Sequence, residues 1–517
     1  MSGVTALTVS TIIVKIIGLV YKIPLMHYLG AEGMGYFNSA YELYTLFFVI
    51  ATAGLPVAVS IMISENLANG KVRNAKKIYK LSFSVFLALG MAGAIVLLVC
   101  SRSFAEAIGN PRAWLCIACI APTVFFISVA GAIRGYFQGN QDMIPTAVSQ
   151  VIEAGGKLLL GLLLAVWAVR AGLEMERAAA LAVLGIVAGS AISMLYLLVY
   201  NAVKKTGVPC LSRQTEPTRR ILRHLLSLAI PVTVSTSLSS LTRVADMTLI
   251  MNRLAVCGVE ESSAVAMYGS YSTMAIPVYH LPSSLLLGIA VSLVPTLAAA
   301  IERGDKRGEA EIIQSSFRLC AFVAVPCAVG LAVLSRPILD LLFSGEAEAI
   351  AVSAPLLAVL GFSVPSACLL ALTSSVLQAH KKVFLPIVSM LVGLLVKIIL
   401  GYWLIGLPAV GMMGAPVSTL ICNLVSVGMN LYFMETCGAY MENLFSILAK
   451  PLASSVVAMV VALAVCYPLW ESISAMLVSL LVALVFGGVY LGISLKFGVF
   501  EQKDMTWITE KKKRSVT

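Results

Sequence analysis

Long apolar stretches, separated by short charged segments, recur along the whole chain. A helix that crosses a bilayer needs about 20 mostly apolar residues. Stretches of that kind fall at 4–28, 38–64, 81–101, 113–137, 145–169, 178–200, 224–251, 264–300, 319–335, 349–379, 385–405, 410–434, 451–470 and 472–495. The pattern predicts an all-α polytopic membrane protein with about fourteen transmembrane helices. The stretch 264–300 is long enough for two helices but contains Pro277, Pro282 and Pro295, and reads as one kinked helix. Only a tight turn from Pro468 to Ser472 separates the last two. The first stretch is too long for a cleavable signal peptide, carries Lys15 near its middle and lacks a small-residue cleavage site, so it reads as a retained helix.

The basic residues test this count. One set of alternate loops, with the C-terminal tail and with Arg134 at the end of the fourth stretch, carries 25 Lys and Arg, and the other set carries 6. Basic residues favour the cytoplasmic side, and a miscounted helix would scramble the alternation beyond it. Both termini are therefore expected in the cytoplasm.

An internal repeat predicts the architecture. The segment Gly54 to Phe83 aligns without gaps to Gly288 to Phe317, with Gly54/Gly288, Val57/Val291, Gly70/Gly304, Arg73/Arg307, Ile78/Ile312, Ser82/Ser316 and Phe83/Phe317 matching. Further on, Gln138, Pro145, Lys157 and Gly161 mirror Gln378, Pro386, Lys397 and Gly401. Six helices separate the copies, an even number, which makes the halves parallel and relates them by an axis along the membrane normal. The expected organisation is a six-helix lobe at 1–203, a basic cytoplasmic linker at 204–223, a second lobe at 224–437, two additional helices at 444–497 and a basic tail at 498–517.

Composition narrows the function classes. Of the 517 residues, 59% are hydrophobic and 12% charged, too few polar side chains to clothe a soluble fold. A cytoplasmic enzyme, a nucleic-acid binder and a disordered scaffold are excluded. The net charge of +11 belongs to the membrane asymmetry. Most of the 11 cysteines lie in apolar runs, and neither the lone Cys116/Cys119 pair nor the four scattered histidines suggests a metal site.

Charges left inside the spans are the candidate chemistry, because each is costly there. They are Lys15, Lys22, Lys157, Arg243 and Lys397, with the acids Glu42, Glu153 and Asp246. Glu153 and Lys157 are spaced i, i+4 and Arg243 and Asp246 i, i+3, so each couple reads equally well as a local structural pair or as a site. Lys15 and Lys22 lie two turns apart on one helix face with no acid three or four residues away. Lys22 has snorkelling to the interface as its alternative. Lys397 repeats Lys157, but Gly393 stands where Glu153 would be. The interior is thus cationic and suits an anion such as phosphate or pyrophosphate. Prolines within the spans, among them Pro24, Pro56, Pro122, Pro231, Pro326 and Pro365, permit bending.

The stretch from Lys15 to Glu65, which includes GAEGMGYF and AGLPVAVS, and the stretch AGAIRGYFQGNQDMIPTAVSQVIE from Ala130 to Glu153 resemble the polysaccharide-transport branch of the multidrug/oligosaccharidyl-lipid/polysaccharide (MOP) exporter superfamily. Within it the likeness is to the stage V sporulation B-type proteins and the MurJ-type lipid II flippases, over essentially the whole chain. The resemblance implies a two-lobed fold that flips undecaprenyl-pyrophosphate-linked oligosaccharide, such as lipid II, to the outer leaflet by alternating access, with sporulation cell-wall synthesis as one setting. It implies pyrophosphate ligands at Lys15 and Lys22, with Arg243 as a further cation, and a gate or structural role for Arg134. The cationic interior adds Lys397 and Lys157 as candidate ligands, and Gly54, Pro56 and Gln138 read as gate or structural motif positions.

The expectation is a multi-pass protein of a bacterial cell membrane, acting as a monomer without cofactor or metal. Its transport would be coupled to membrane potential, H⁺ or Na⁺, with Glu153 and Asp246 as ion-coupling candidates. The alternatives are a flippase for another polysaccharide precursor and a cation-coupled drug exporter, although organic cations would call for acids in the cavity. A membrane-embedded glycosyltransferase is more remote. The acidic pairs of the outer loops, Glu174/Glu176 and Glu346/Glu348, sit in loops too short to build a catalytic domain.

Overall fold

The computed structural model describes residues 3–204, 216–439, 444–469 and 475–496. Residues 205–215 of the basic linker, the tail 498–517 and most of the turn from Pro468 to Ser472 lie outside the described residues. Contacts divide the chain into two compact units, 1–273 and 274–517.

In the first unit the helices are α1 (Gly3–Thr52), α2 (Leu55–Ala68), α3 (Val72–Val99), α4 (Ser101–Ala107), α5 (Trp114–Gly139), α6 (Ile144–Arg170), α7 (Met175–Val203), α8 (Thr218–Val256) and α9 (Glu261–Ser270). The second contains α10 (Ile276–Glu302), α11 (Lys306–Val333), α12 (Ser335–Leu342), α13 (Ala347–Ala379), α14 (Phe384–Ile405), α15 (Gly414–Thr436), α16 (Leu444–Cys466) and α17 (Ala475–Lys496). Thirteen stretches of described helix are long and apolar enough to cross a membrane. The first, Val9–Ala68, holds 60 residues and two crossings.

The fold-back in that stretch lies at Gly30. Its backbone, φ 63° and ψ −176°, interrupts α1, and side chains other than glycine are strained there. The Tyr21 and Phe37 rings stand 6.1 Å apart, whereas 16 residues of straight helix would separate them by about 24 Å. The sequence suggested a nine-residue loop at this point. The structure replaces it with one glycine, and Glu32 accepts a hydrogen bond from Tyr36 one turn on, at 2.6 Å. A Cβ at Gly30 would meet nothing within 4 Å, so only the backbone resists substitution. Gly30→Ala is expected to cost about 1–3 kcal/mol, read as a lower thermal unfolding midpoint in detergent. An unchanged midpoint would show that the reversal does not depend on this residue.

Several helices start earlier than hydropathy suggests. α3 begins at Val72 rather than 81 and α11 at Lys306 rather than 319, because a hydropathy scan stops at charges while Lys, Arg and Glu continue a helix readily. The stretch 264–300 lies in one helical span, Glu261–Glu302, as expected. A π turn at Tyr271–Ala275 joins α9 to α10 within it, just before Pro277, whose missing N–H leaves the Thr273 carbonyl without its helical donor. The short helices α4 and α12 were below the length a hydropathy scan detects.

The repeat reaches into details. α4 and α12 begin 234 residues apart, as do α3 and α11. Gln141 (φ 61°) and Lys381 (φ 63°), the only non-glycine residues with positive φ among those described, occupy the same place in the α5–α6 and α13–α14 turns. In the first turn Asp142 accepts a hydrogen bond from Lys204 at the end of α7, and this bond raises the pKa of the Lys204 ammonium. Ser193 Oγ donates to the Ser149 carbonyl at 2.8 Å, and Ser426 Oγ donates to the Ser389 carbonyl at 3.1 Å, so α7 on α6 and α15 on α14 share one tie.

Small residues bring the helices this close. A Cβ on Gly185 would lie 2.2 Å from Gly161 Cα, and one on Gly156 would lie 2.5 Å from Gly189 Cα. Such seams let backbones approach where lipid removes the hydrophobic drive to associate. In the second unit, α16 and α17 pack on α11 and α12 around Leu334, Ala458, Ala462, Val478 and Phe486.

Candidate functional site

The two motif segments are packing partners. A Cβ on Gly135 of RGYFQG would lie 2.9 Å from the Pro56 carbonyl oxygen, and one on Gly139 would lie 2.8 Å from Ile63 Cβ, so α2 lies tight against α5. At the start of α2, a Cβ on Gly54 would lie 2.1 Å from the Ala229 carbonyl oxygen of α8, and the Gly54 N–H donates to Thr233 Oγ1 at 3.2 Å. The Gln138 carbonyl accepts the Gln141 N–H and closes the α5–α6 turn.

Within the first unit a cavity of about 380 Å³ opens between α1, α5, α6 and α7. Its polar wall is Lys15, Arg134, Gln150, Glu153 and Lys157, and its aromatic wall is Tyr41, Tyr44 and Phe48. The fold-back at Gly30 is what places both halves of α1 on it. Tyr41, Tyr44 and Phe48 recur at helical spacing, a signal that sequence reading assigned to nothing.

Arg134 anchors the polar wall. Its guanidinium donates to Ser149 Oγ at 2.9 Å, to Glu153 Oε2 at 2.9 Å and to Ser193 Oγ at 3.1 Å. One planar fork thus ties α5 to α6 and α7. Of the two readings of Glu153 and Lys157, a direct local ion pair is not formed, because the Glu153 carboxylate is taken by Arg134. Lys157 turns instead to the aromatic wall, with Nζ 4.5 Å from the Tyr41 ring centroid and 5.2 Å from that of Tyr21. Ring faces attract a cation but accept none of its three N–H donors in the ordinary sense. Among the described residues neither Lys157 nor Lys15 has a hydrogen-bond or ion-pair partner. Lys15 stands exposed on the cavity wall. Beyond the Arg134–Glu153 pair, the cavity therefore holds two uncompensated cations.

The remaining candidates lie elsewhere. Lys22 reaches into the protein. Its Nζ donates to the Ser272 carbonyl oxygen at 3.1 Å, in the π turn after α9. Asn38 Nδ2 donates to Thr273 Oγ1 at 2.7 Å in the same turn. Arg243 Nε donates to Glu42 Oε2 at 2.8 Å and joins α8 to α1, a partner 201 residues away rather than the helix neighbour the spacing suggested. Asp246 is buried and not without a partner. Lys397, in the second unit, is 2% exposed and likewise has an interaction partner, so its reading as an unpaired cation is corrected. At the place that Arg134 holds in the first unit, the second has neutral groups: Asn430 Nδ2 donates to Thr373 Oγ1 at 3.0 Å and to Ser374 Oγ at 3.2 Å.

The profile of a family described as polysaccharide biosynthesis protein matches residues 1–301, and that of MatE matches residues 231–403. Stage V sporulation protein B of Bacillus subtilis (strain 168) is 28% identical over 420 residues, 80% of this chain and 79% of that protein. Lipid II flippase MurJ of the same strain is 28% identical over 425 residues, 78% and 77% of the two chains. Among solved structures, a lipid II flippase MurJ in an inward closed conformation matches with a TM-score of 0.73 at 17% identity, over 95% of this chain and 98% of that one. An inward-facing multidrug resistance MATE transporter of the MOP superfamily matches with a TM-score of 0.66 at 17% identity, over 81% and 98%. These likenesses agree with the helical membrane fold described above. The chain is a multi-pass membrane protein and belongs to the polysaccharide biosynthesis protein family.

Proposed function

We propose that the chain is a flippase for a polyprenyl-pyrophosphate-linked saccharide, with the peptidoglycan precursor lipid II as substrate and sporulation cell-wall synthesis as one setting. The observation that carries this reading is the pair of uncompensated cations, Lys15 and Lys157, on one cavity wall. A pyrophosphate supplies the charge and the acceptors that both ammonium groups lack. The aromatic wall offers flat apolar faces beside them. The names of the relatives, a lipid II flippase and a sporulation protein, support the same reading. An organic-cation exporter would need the opposite polarity in this cavity.

On this reading the pyrophosphate binds from the cytoplasmic side, both termini face the cytoplasm, and alternating access exposes the headgroup outside. Membrane potential acting on the cavity charge would give direction, about 2.3 kcal/mol per charge per 100 mV. Glu153 and Asp246 are the acids through which an ion could couple. The test is outer-leaflet lipid II exposure in bacterial cells depleted of their own lipid II flippase and expressing this chain, read with an added enzyme that cleaves lipid II. Cleavage is expected to return to the level before depletion. An inserted protein with no return of cleavage would overturn lipid II as substrate.

A further inference from the structure

The start of α3 and the start of α8 form one surface. Lys77 Nζ donates to the Glu216 carbonyl oxygen at 2.6 Å, and the Glu216 N–H donates to Asn74 Oδ1 at 3.0 Å. Behind these bonds Ala75, Ile78, Ile221 and Leu225 share one buried cluster. Around them Arg73, Lys76 and Lys80 stand exposed on α3, and Arg219 and Arg223 on α8. The spacings, i, i+3, i+7 on one helix and i, i+4 on the other, give each set one face. None of the five has a side-chain hydrogen-bond or ion-pair partner among the described residues. The nearby acid, Glu216, faces Arg220 at 3.6 Å.

The level of these cations along the helices is that of a lipid headgroup. Leu226 and Ile230, both exposed, follow Arg223 directly on α8, and exposed Leu87 comes two turns after Lys80 on α3. Seven residues of helix span about 10 Å, so the charges sit just beyond the apolar band.

Basic residues at such a place also serve as a topology signal, and the repeat separates the two uses. α11 is the counterpart of α3. It too begins with basic residues, but Lys306 lies 3.5 Å from Glu309 and Arg307 lies 3.2 Å from Glu311. At those two acid positions α3 has Ala75 and Lys77. The topology signal counts Lys and Arg and is little affected by Asp and Glu, so either segment would satisfy it. Only the acid-free version creates a net positive surface, and only an anionic partner makes use of that.

We propose that the joined starts of α3 and α8 bind the phosphate of an anionic glycerophospholipid, with Arg73, Lys76, Lys80, Arg219 and Arg223 as its contacts. The site is separate from the cavity and does not depend on what the cavity carries.

The test uses the full chain in detergent, offered equal amounts of phosphatidylglycerol and phosphatidylcholine, with retained lipid counted by native mass spectrometry. The wild-type chain is expected to retain phosphatidylglycerol preferentially, and the preference should fall roughly fivefold for each cation removed. The triple variant Lys76→Gln/Lys80→Gln/Arg219→Gln should lose it, while Lys76→Arg/Lys80→Arg should keep it. Arg307→Gln, at the counterpart position, should leave it unchanged. Equal retention of the two lipids by the wild-type chain, or a preference that survives the triple variant, overturns the proposal.

Discussion

An Arg134→Ala chain is expected to lose about 3–5 kcal/mol of stability, the usual cost of removing one partner of a buried ion pair. The Arg134 and Glu153 side chains are 12% and 27% exposed, so the stranded carboxylate would have only the water of the cavity it lines to turn to. Two serine hydroxyls on α6 and α7 would lose their donor at the same time. Arg134→Lys should recover only part of the loss, because an ammonium cannot hold the three acceptors with the geometry of a planar fork. A double variant, Arg134→Met/Glu153→Leu, should recover more than the lysine variant, since it removes the unpaired charge instead of leaving it. Thermal unfolding in detergent measures all three. An Arg134→Ala chain as stable as wild type would remove Arg134 as the tie between α5, α6 and α7.

Lys157→Ala should give the opposite combination, with a stable fold and lost transport. In the unliganded chain this lysine interacts with ring faces, worth at most about 2 kcal/mol, and no carboxylate depends on it. If the ammonium meets a pyrophosphate in the cavity, its removal costs about 2–5 kcal/mol of binding, or a factor of roughly 30 to several thousand at 1.4 kcal/mol per tenfold. Lys15→Ala should act in the same direction but less strongly, because that side chain is exposed and more screened. The measurements are the unfolding midpoint, binding of undecaprenyl pyrophosphate to the purified chain, and outer-leaflet exposure of lipid II in cells. Unchanged binding and exposure in Lys157→Ala would end the cationic-cavity reading. A collapsed midpoint would show that Lys157 is structural.

The contrast between these two residues shows where sequence reading stopped. Helix positions, the repeat and the deep charges were all legible, because each is a pattern of burial or of residue identity along the chain. Partners were not. At i, i+4, Glu153 and Lys157 suggest each other, but Arg134, 19 residues earlier and across a turn, takes the carboxylate with one hydrogen bond while two more, to Ser149 and Ser193, hold its guanidinium in place. Glu42 and Arg243 are 201 residues apart, and no local spacing could join them. The loop expected after 28 was misread for another reason. Glu32 and the glycines Gly30, Gly33 and Gly35 lower the hydropathy there, yet all but Gly30 continue the helix, with Glu32 satisfied by Tyr36 one turn on.

The reversal at Gly30 bears on how the protein enters a membrane at all. A lysine at the centre of an inserting helix opposes insertion by about 2.5–3.5 kcal/mol, and the first crossing carries Lys15 and Lys22. With only one non-helical residue before the second crossing, the two emerge from the ribosome as a single hairpin. The apolar run from Leu46 to Ala51 then contributes its own partitioning energy to the same insertion event. A chain in which a long polar linker separates the two crossings would leave the lysine-bearing helix to partition alone, and that helix would be the first to be left outside the bilayer.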